Sequence, residues 1–364
     1  MPDAQVHVRM TRHAFPFSTA VLPHLIEKRD AMGERYRRTL LENFNGAVME
    51  NTFKGGDWRH PDIRARAPRV AQWLAEQNMV QRGHYLTMGV FDHMIAGVPA
   101  EQIAAIRSDP AALRSFLNQF ADEVIQASGG HITDWDAVNH LTAYWGTKLD
   151  TVAGGLHVYA DFIRDTRARH SVLLLAVNES SFMDEYERRI RHLVEHDAKP
   201  DAIGFMSHFS ETNLPTPEEL LALLDRFAAF GVPLRATEFD IASNDEQLQA
   251  DYTRDFYTVY FSHPGVNTIV TWGFWEGAHW RPETALFRRD WSIKPNGQAY
   301  RDLVFRDWWT DVTTTTNAEG KASLRAFRGQ YRVTATAGDR TVTIDRVSVH
   351  EPTSRLPIVL PPRP

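Results

Sequence analysis

At 364 residues with 43% hydrophobic side chains, the chain can bury one large core, either as a single enzyme-sized domain or as a barrel with a small appendage. Its 40 basic and 46 acidic residues leave a formal charge of -6, which gives no electrostatic basis for a nucleic-acid or membrane-surface partner. The lack of cysteine excludes disulfides, thiolate nucleophiles and cysteine-held metal centres; a metal would need His, Asp and Glu, and no metal or other cofactor is expected.

From the N-terminus, MPDAQVHVRMTRHAF carries no apolar leader, and no apolar run anywhere reaches the roughly 18 residues of a membrane span. A cytoplasmic location is expected, or secretion if a signal peptide has been removed. Eight short apolar, β-branched segments then recur, at 13–21, 44–52, 83–91, 132–140, 172–178, 202–209, 234–241 and 268–274. Between them lie amphipathic stretches such as DPAALRSFLNQFADEVIQ, TPEELLALLDRFAAFG and LQADYTRDFYTVYF, whose apolar residues fall near i, i+3 and i+4. Thr216, Pro217 and Glu218 make a helix start, and Gly231 stands where that helix should end. Eight strands alternating with helices predict an α/β fold, a (β/α)8 TIM barrel over residues 1–308. Beyond Trp309 the chain turns Thr- and Val-rich with alternating residues and turns near 317–320, Gly329 and 338–339. That pattern predicts a small β-sandwich-like appendage over 309–352, more a structural addition than a sugar-binding one, followed by an extended tail at 353–364.

Barrel enzymes place their chemistry at the C-terminal ends of the strands, and polar residues gather at those positions here. Strand two ends in Glu50, Asn51, Thr52 and Lys54; strand three holds His84 and leads to Asp92 and His93; strand four ends in Asn139 and His140. Strand five ends in Asn178 and Glu179, strand six in Ser207 and His208, and strand seven in Glu238 and Asp240; Trp272, Trp275 and Trp280 follow strand eight. One such residue is ordinarily satisfied by its own neighbours. Ionisable groups on so many strands of one rim instead point to a polar active site, because burying them unpaired costs several kcal/mol each.

RHAFPF, ENTFK, RGHYL, WDAVNH, GFMSHF, TEFDI and VTWGFWEGAHWR occur in the order and at the strand positions of a known family. From about residue 10 to about 306 the chain resembles glycoside hydrolase family 10, the xylanase family. The resemblance implies a retaining β-glycosidase with Glu238 as nucleophile, His208 as its hydrogen-bonding neighbour and Asn139 holding a sugar 2-hydroxyl. It further implies that Asn51, Lys54 and His84 line the sugar sites before the cleaved bond, and that Trp272 and Trp280 are aromatic walls for pyranose rings, whose C–H faces are apolar. Asn178, Glu179, Asp240 and Trp275 join the substrate-binding set through their places at the strand tips. The expected partner is a carbohydrate or glycoside-like small molecule, with no nucleic acid and no membrane.

Three departures stand out. The family's WDVVNE is WDAVNH here, so His140 holds the acid/base position; the second glutamate of its ENE motif is Thr52; and the last two residues of its HTLVWH motif are Met88 and Gly89. Retaining hydrolysis needs a proton donor at the leaving oxygen and a carboxylate about 5 Å away. An imidazole ordinarily titrates near pH 6.5, and one facing a carboxylate can donate a proton near neutrality and then act as base toward water. Further expectations stand beside this one: acid/base chemistry such as cyclisation, isomerisation or elimination on a small metabolite, a noncatalytic sugar-binding role, a proton supplied by Glu179, Asp92 or Glu276, and a metal held by His84, His140 and His208.

Overall fold

The computed structural model describes residues 1–180 and 184–362, which divide into two compact units: residues 17–297, and residues 1–16 together with the chain from 298 onward. The first strand, β1 (Gln5–His13), belongs to the smaller unit. The larger unit carries β2 (Phe17–Val21), β3 (Gly46–Met49), β4 (Val80–Met88), β5 (Asp134–Asn139), β6 (Leu174–Glu179), β7 (Ala202–Phe205), β8 (His208–Ser210), β9 (Leu234–Ala242) and β10 (Val266–Thr271). β2, β3, β4, β5, β6, β7, β9 and β10 pair in parallel in that order, and β10 returns to β2. The result is a closed eight-stranded (β/α)8 TIM barrel.

Covering helices account for the burial of these strands on both faces, as in β2, where every residue is buried. The helix Pro110–Ala127 shows how the local sequence fixes one of them. Asp109 caps it by accepting from Ala111 N, Pro110 opens it, and Leu113, Phe116, Leu117, Phe120, Ala121 and Val124 form its buried stripe. The helix Pro217–Ala228 starts with a capping box in which Thr216 and Glu219 each bond the other's backbone, and Gly231 follows it at φ +64°. The helix start read at Thr216, Pro217 and Glu218 is thus present, with Glu219 as the reciprocal partner of Thr216.

Two strands differ from the sequence reading in ways that place functional groups. Residues 13–21 are not one strand: His13 ends β1 and only 17–21 enter the barrel, because Pro16 has no N–H to continue a ladder. Segment 202–209 is likewise interrupted. Ser207 lies at φ +64°, so β7 stops at Phe205 and the chain re-forms as β8 alongside Asp240–Ala242 of β9. That break brings His208 up beside Asp240, its direct pairing partner.

The smaller unit is a single antiparallel sheet completed by β11 (Asp311–Thr315), β12 (Gly329–Ala337) and β13 (Arg340–Val349), in the order β11-β1-β12-β13. Both the expected barrel boundary at 1–308 and the expected sandwich at 309–352 therefore change: the N-terminal strand is an inner strand of this sheet, and there is one layer, not two. Its apolar face holds Val6, Met10, Tyr331, Val333 and Ala335, with Trp309, Phe327, Ile358 and Leu360 packed against them. The tail consequently contributes Ile358 and Leu360 to a core, while remaining without helix or strand over its described residues. No helix among the described residues is long and apolar enough to cross a membrane.

Candidate active site

Glu238 is carried into the C-terminal mouth of the barrel by β9 and is only 5% exposed. Asn178 Nδ2 donates to its Oε1 at 2.8 Å, His208 Nε2 lies 3.1 Å from its Oε2, and His84 Nδ1 is 3.9 Å from Oε1. Burial alone would raise the pKa of this carboxyl. The charges of His84, His208 and His140 and the His208 hydrogen bond outweigh it and hold Glu238 well below the usual carboxylate range. Glu238 is thus an anion with little water around it.

Asn178 ties this group to the neighbouring strands. Its amide also donates to Asn139 Oδ1 at 3.0 Å, and its carbonyl accepts from Thr237 Oγ1 at 2.6 Å. On the other side, His84 Nδ1 lies 2.9 Å from Asp136 Oδ2, and Asp136 is bonded in turn to Arg82. Sequence reasoning missed Asp136 and Thr237. Asp136 was legible as the one charged residue inside the otherwise apolar run WDAV, where a buried acid needs a cation.

His208 stands between two acids, with Nε2 on Glu238 and Nδ1 3.0 Å from Asp240 Oδ1. The Nδ1 contact is a charge contact more than an aligned hydrogen bond, since no hydrogen-bond partner meets that atom. Desolvation opposes the imidazolium, but Asp240 and then Glu238 prevail and raise the His208 pKa to about 9. A folded value above the ordinary 6.5 means the contribution to stability is complete below about pH 6.5 and disappears as pH rises through about 9. We expect the unfolding free energy to fall by roughly 3 kcal/mol across that interval, measured by urea unfolding, and a His208→Asn variant to lose this dependence. An equally steep alkaline decline in the variant would refute the assignment.

His140 follows β5 in the left-handed region at φ +49°, an unusual conformation for a residue with a side chain. Its Nδ1 lies 3.4 Å from Glu179 Oε1, and its ring meets Trp145 edge-on at a centroid distance of 4.2 Å. The turned backbone directs the His140 carbonyl at Gly89, where a Cβ would come within 2.0 Å of that oxygen. The Gly89 that departs from the family motif is therefore what lets His140 adopt its turn. Gly89→Ala should cost about 1–3 kcal/mol of stability, readable as a lower denaturation midpoint, by displacing this carbonyl; a neutral substitution would contradict the contact.

Glu179 lies deeper than an open strand-tip acid would. It is fully buried, and both Thr142 N and Thr142 Oγ1 donate to Oε2 at 2.6 Å while Ser180 N donates to Oε1 at 2.8 Å. Burial raises its pKa, yet the hydrogen bond and charge of His140, with Thr142 and Ser180, bring it below the usual range. The donors that hold this carboxylate all come from the protein itself. Asp92 and Glu276, the other two candidate proton sources, accept backbone N–H groups from Thr147 and Arg289 at 2.8 Å each.

At β3, Lys54 Nζ donates to Asn51 Oδ1 at 2.7 Å and sits 5.9 Å from the Trp272 ring. Trp272 is nearly buried, meeting His84 edge-on at 5.1 Å and His208 at 6.3 Å. Trp280 is 47% exposed; its Nε1 donates to Asp240 Oδ2 at 2.8 Å, and the Arg281 guanidinium lies 4.2 Å from its ring centroid. Trp275 does not join them. It stacks on Trp291 at 4.4 Å and donates to the Arg289 carbonyl, so its ring faces protein instead of the cleft. Among the described residues no group of three His, Asp or Glu side chains is arranged to hold a metal, so His84, His140 and His208 do not form one centre. A cleft of about 180 Å³ adjoins this rim, lined by Leu22, Pro23, His24, Asn51, Thr52, Ile63 and Arg66. A larger one, about 570 Å³ and lined by Ile26, Glu27, Arg29, Arg37, Arg69, Val70 and Trp73, lies among the outer helices, away from the clustered acids and histidines.

The family model for glycosyl hydrolase family 10 matches residues 9–303. Among curated proteins, the anti-sigma-I factor RsgI6 of Acetivibrio thermocellus is 27% identical over 92% of this chain and 43% of its own length. Endo-1,4-beta-xylanase 2 of Arabidopsis thaliana is 22% identical over 92% of this chain and 31% of its own. The chain therefore spans less than half the length of these relatives. Among solved structures, xylanase 10B from Thermotoga petrophila in complex with xylobiose superposes with a TM-score of 0.69 at 23% identity, covering 80% of this chain and 94% of that one.

Proposed function

The chain belongs to glycosyl hydrolase family 10, and from that premise we propose that it hydrolyses a β-glycosidic bond with retention, Glu238 acting as nucleophile and His140 as the acid/base group. The observation that carries this reading is the setting of Glu238: a buried carboxyl bonded by Asn178 and His208, where His84 and then His208 favour its ionised form. Glu238 attacks the anomeric carbon while His140 gives its proton to the departing glycosidic oxygen. A water then attacks the same carbon, passing its proton to His140 and releasing Glu238. The charge of His140 is among the influences that lower the Glu238 pKa, which supports the two groups standing near one another. Asn139, Asn51, Lys54 and His84 bind the sugar hydroxyls, and the indoles of Trp272 and Trp280 bound its apolar faces.

The test is turnover of aryl β-xyloside, β-xylobioside and β-glucoside, with the product anomer followed by proton NMR. The β-anomer should appear first and the activity should depend on Glu238. Inertness of the folded protein toward all three, or first appearance of the α-anomer, would overturn the reading. A noncatalytic sugar-binding role is the second reading, favoured by His140 in the acid/base position and by the likeness to an anti-sigma factor. It predicts oligosaccharide binding that is unchanged in Glu238→Gln and never accompanied by turnover.

A further inference from the structure

Glu179 and Trp145 hold His140 from two directions. The Glu179 carboxylate has no solvent exposure and is fixed by protein donors on both oxygens: Thr142 N and Oγ1 on Oε2, and Ser180 N on Oε1. The Oε1 atom also lies 3.4 Å from His140 Nδ1, while the Trp145 ring stands at 83° to the imidazole with 4.2 Å between centroids. We propose that Glu179 is a positioning residue: it keeps a proton on His140 Nδ1, so that Nε2 is the nitrogen that exchanges protons with substrate, while Trp145 prevents the ring from turning over.

The argument is one of donors and acceptors. A neutral imidazole carries its single proton on either nitrogen, and an ionised carboxylate can only accept. An acceptor that cannot rotate away, because three other donors hold it, therefore selects the Nδ1–H tautomer. Nε2 is then a base in one half of the cycle and, once protonated, an acid in the other. The charge formed on the imidazolium is matched by Glu179, whose own ionisation His140 favours most, with the Thr142 hydroxyl and the Ser180 N–H adding to it. Among the described residues, Glu238, His93 and Tyr144 are further titratable groups near His140; the two histidine rings repel when charged and Glu238 attracts. None of these is within contact distance of Nδ1, so tautomer selection falls to Glu179. The substituted imidazole at the tip of β5 and the enclosed carboxylate at the tip of β6 thereby work as one unit.

This inference rests on the reading of His140 as the proton-transferring group, but its test does not need turnover. Protein labelled with 15N-histidine, with the His140 signals assigned by comparison with His140→Gln, reports the tautomer directly through its nitrogen shifts and long-range proton couplings. In the unsubstituted protein, above the pH at which the ring is charged, Nδ1 should be protonated and Nε2 bare. In Glu179→Gln, whose amide NH2 can donate toward Nδ1, that preference should weaken or reverse. Wherever turnover is measurable, kcat should fall about 10- to 100-fold with KM little changed. An Nε2–H tautomer in the unsubstituted protein, or an unaltered tautomer in Glu179→Gln, overturns the proposal; the first of these measurements needs no change at Glu179, only the His140→Gln reference for assignment. An Nδ1–H tautomer in a protein that hydrolyses no glycoside upholds the positioning role and rejects the hydrolase reading alone.

Discussion

Glu238→Gln is expected to lower turnover of aryl β-glycosides by on the order of 10³-fold or more, with the protein still folded. An amide of the same length can still accept from Asn178 Nδ2, with its NH2 then turned toward His208 Nε2. What disappears is the negative charge that attacks the anomeric carbon. His208 loses one of the two acids that raise its pKa, Glu238, while Asp240, the stronger influence, remains. The variant should therefore bind oligosaccharide near normally and fail in the chemical step, giving a loss in kcat with KM little altered. Retention of more than a tenth of the activity would show that another group attacks, or that no covalent intermediate forms.

His140→Glu is the second large effect, and it runs in the opposite direction. Restoring a carboxylic acid at the tip of β5 should raise hydrolysis of substrates with poor leaving groups, by less than the roughly 10²- to 10⁴-fold that a general acid supplies over none, because His140 already donates a proton. The environment suits it. Where His140 Nδ1 now faces Glu179 at 3.4 Å, an introduced carboxyl would face a carboxylate already fixed by three donors. Two such groups side by side cannot both ionise readily, so the new one stays protonated at higher pH, as a general acid must. Dinitrophenyl glycosides, whose leaving group needs no proton, should gain little. The contrast between the two leaving groups is the diagnostic: a gain confined to poor leaving groups supports the assignment of this position, and no gain with any glycoside removes it.

The barrel was legible because its signal is local and repeated: eight apolar segments spaced by amphipathic helices leave few other folds. The candidate site was legible where one motif places one residue, as TEFDI does for Glu238 and WDAVNH for Asn139 and His140. Contacts set by a distant partner or a bent backbone were not. β1 looks like the beginning of the barrel until its partners β11 and β12, some three hundred residues away, are known. Its intermittent burial, at Val6, Met10 and His13, against the continuous burial of β2, is the physical distinction between a one-sided sheet and a barrel wall. Glu179 reads as a strand-tip acid open to substrate, and only the left-handed turn at His140 and the fold of Thr142 over the carboxylate enclose it. Trp275 reads as a substrate-binding residue by its place after strand eight, and its stacking on Trp291, sixteen residues on, gives that indole a partner within the protein. Ser207 gives no sequence sign of the break that sets His208 against Asp240.

The most direct measurement is covalent trapping with 2-deoxy-2-fluoro-β-xylosyl, -xylobiosyl and -glucosyl dinitrophenolates. The fluorine slows both steps, and the activated leaving group removes the demand on His140, so only the attacking carboxylate is interrogated. Intact-protein mass spectrometry should show one added glycosyl unit per chain, and peptide mapping should place it on Glu238. A label on any other residue, or no label from any of the three reagents with the folded protein, would contradict Glu238 as the nucleophile.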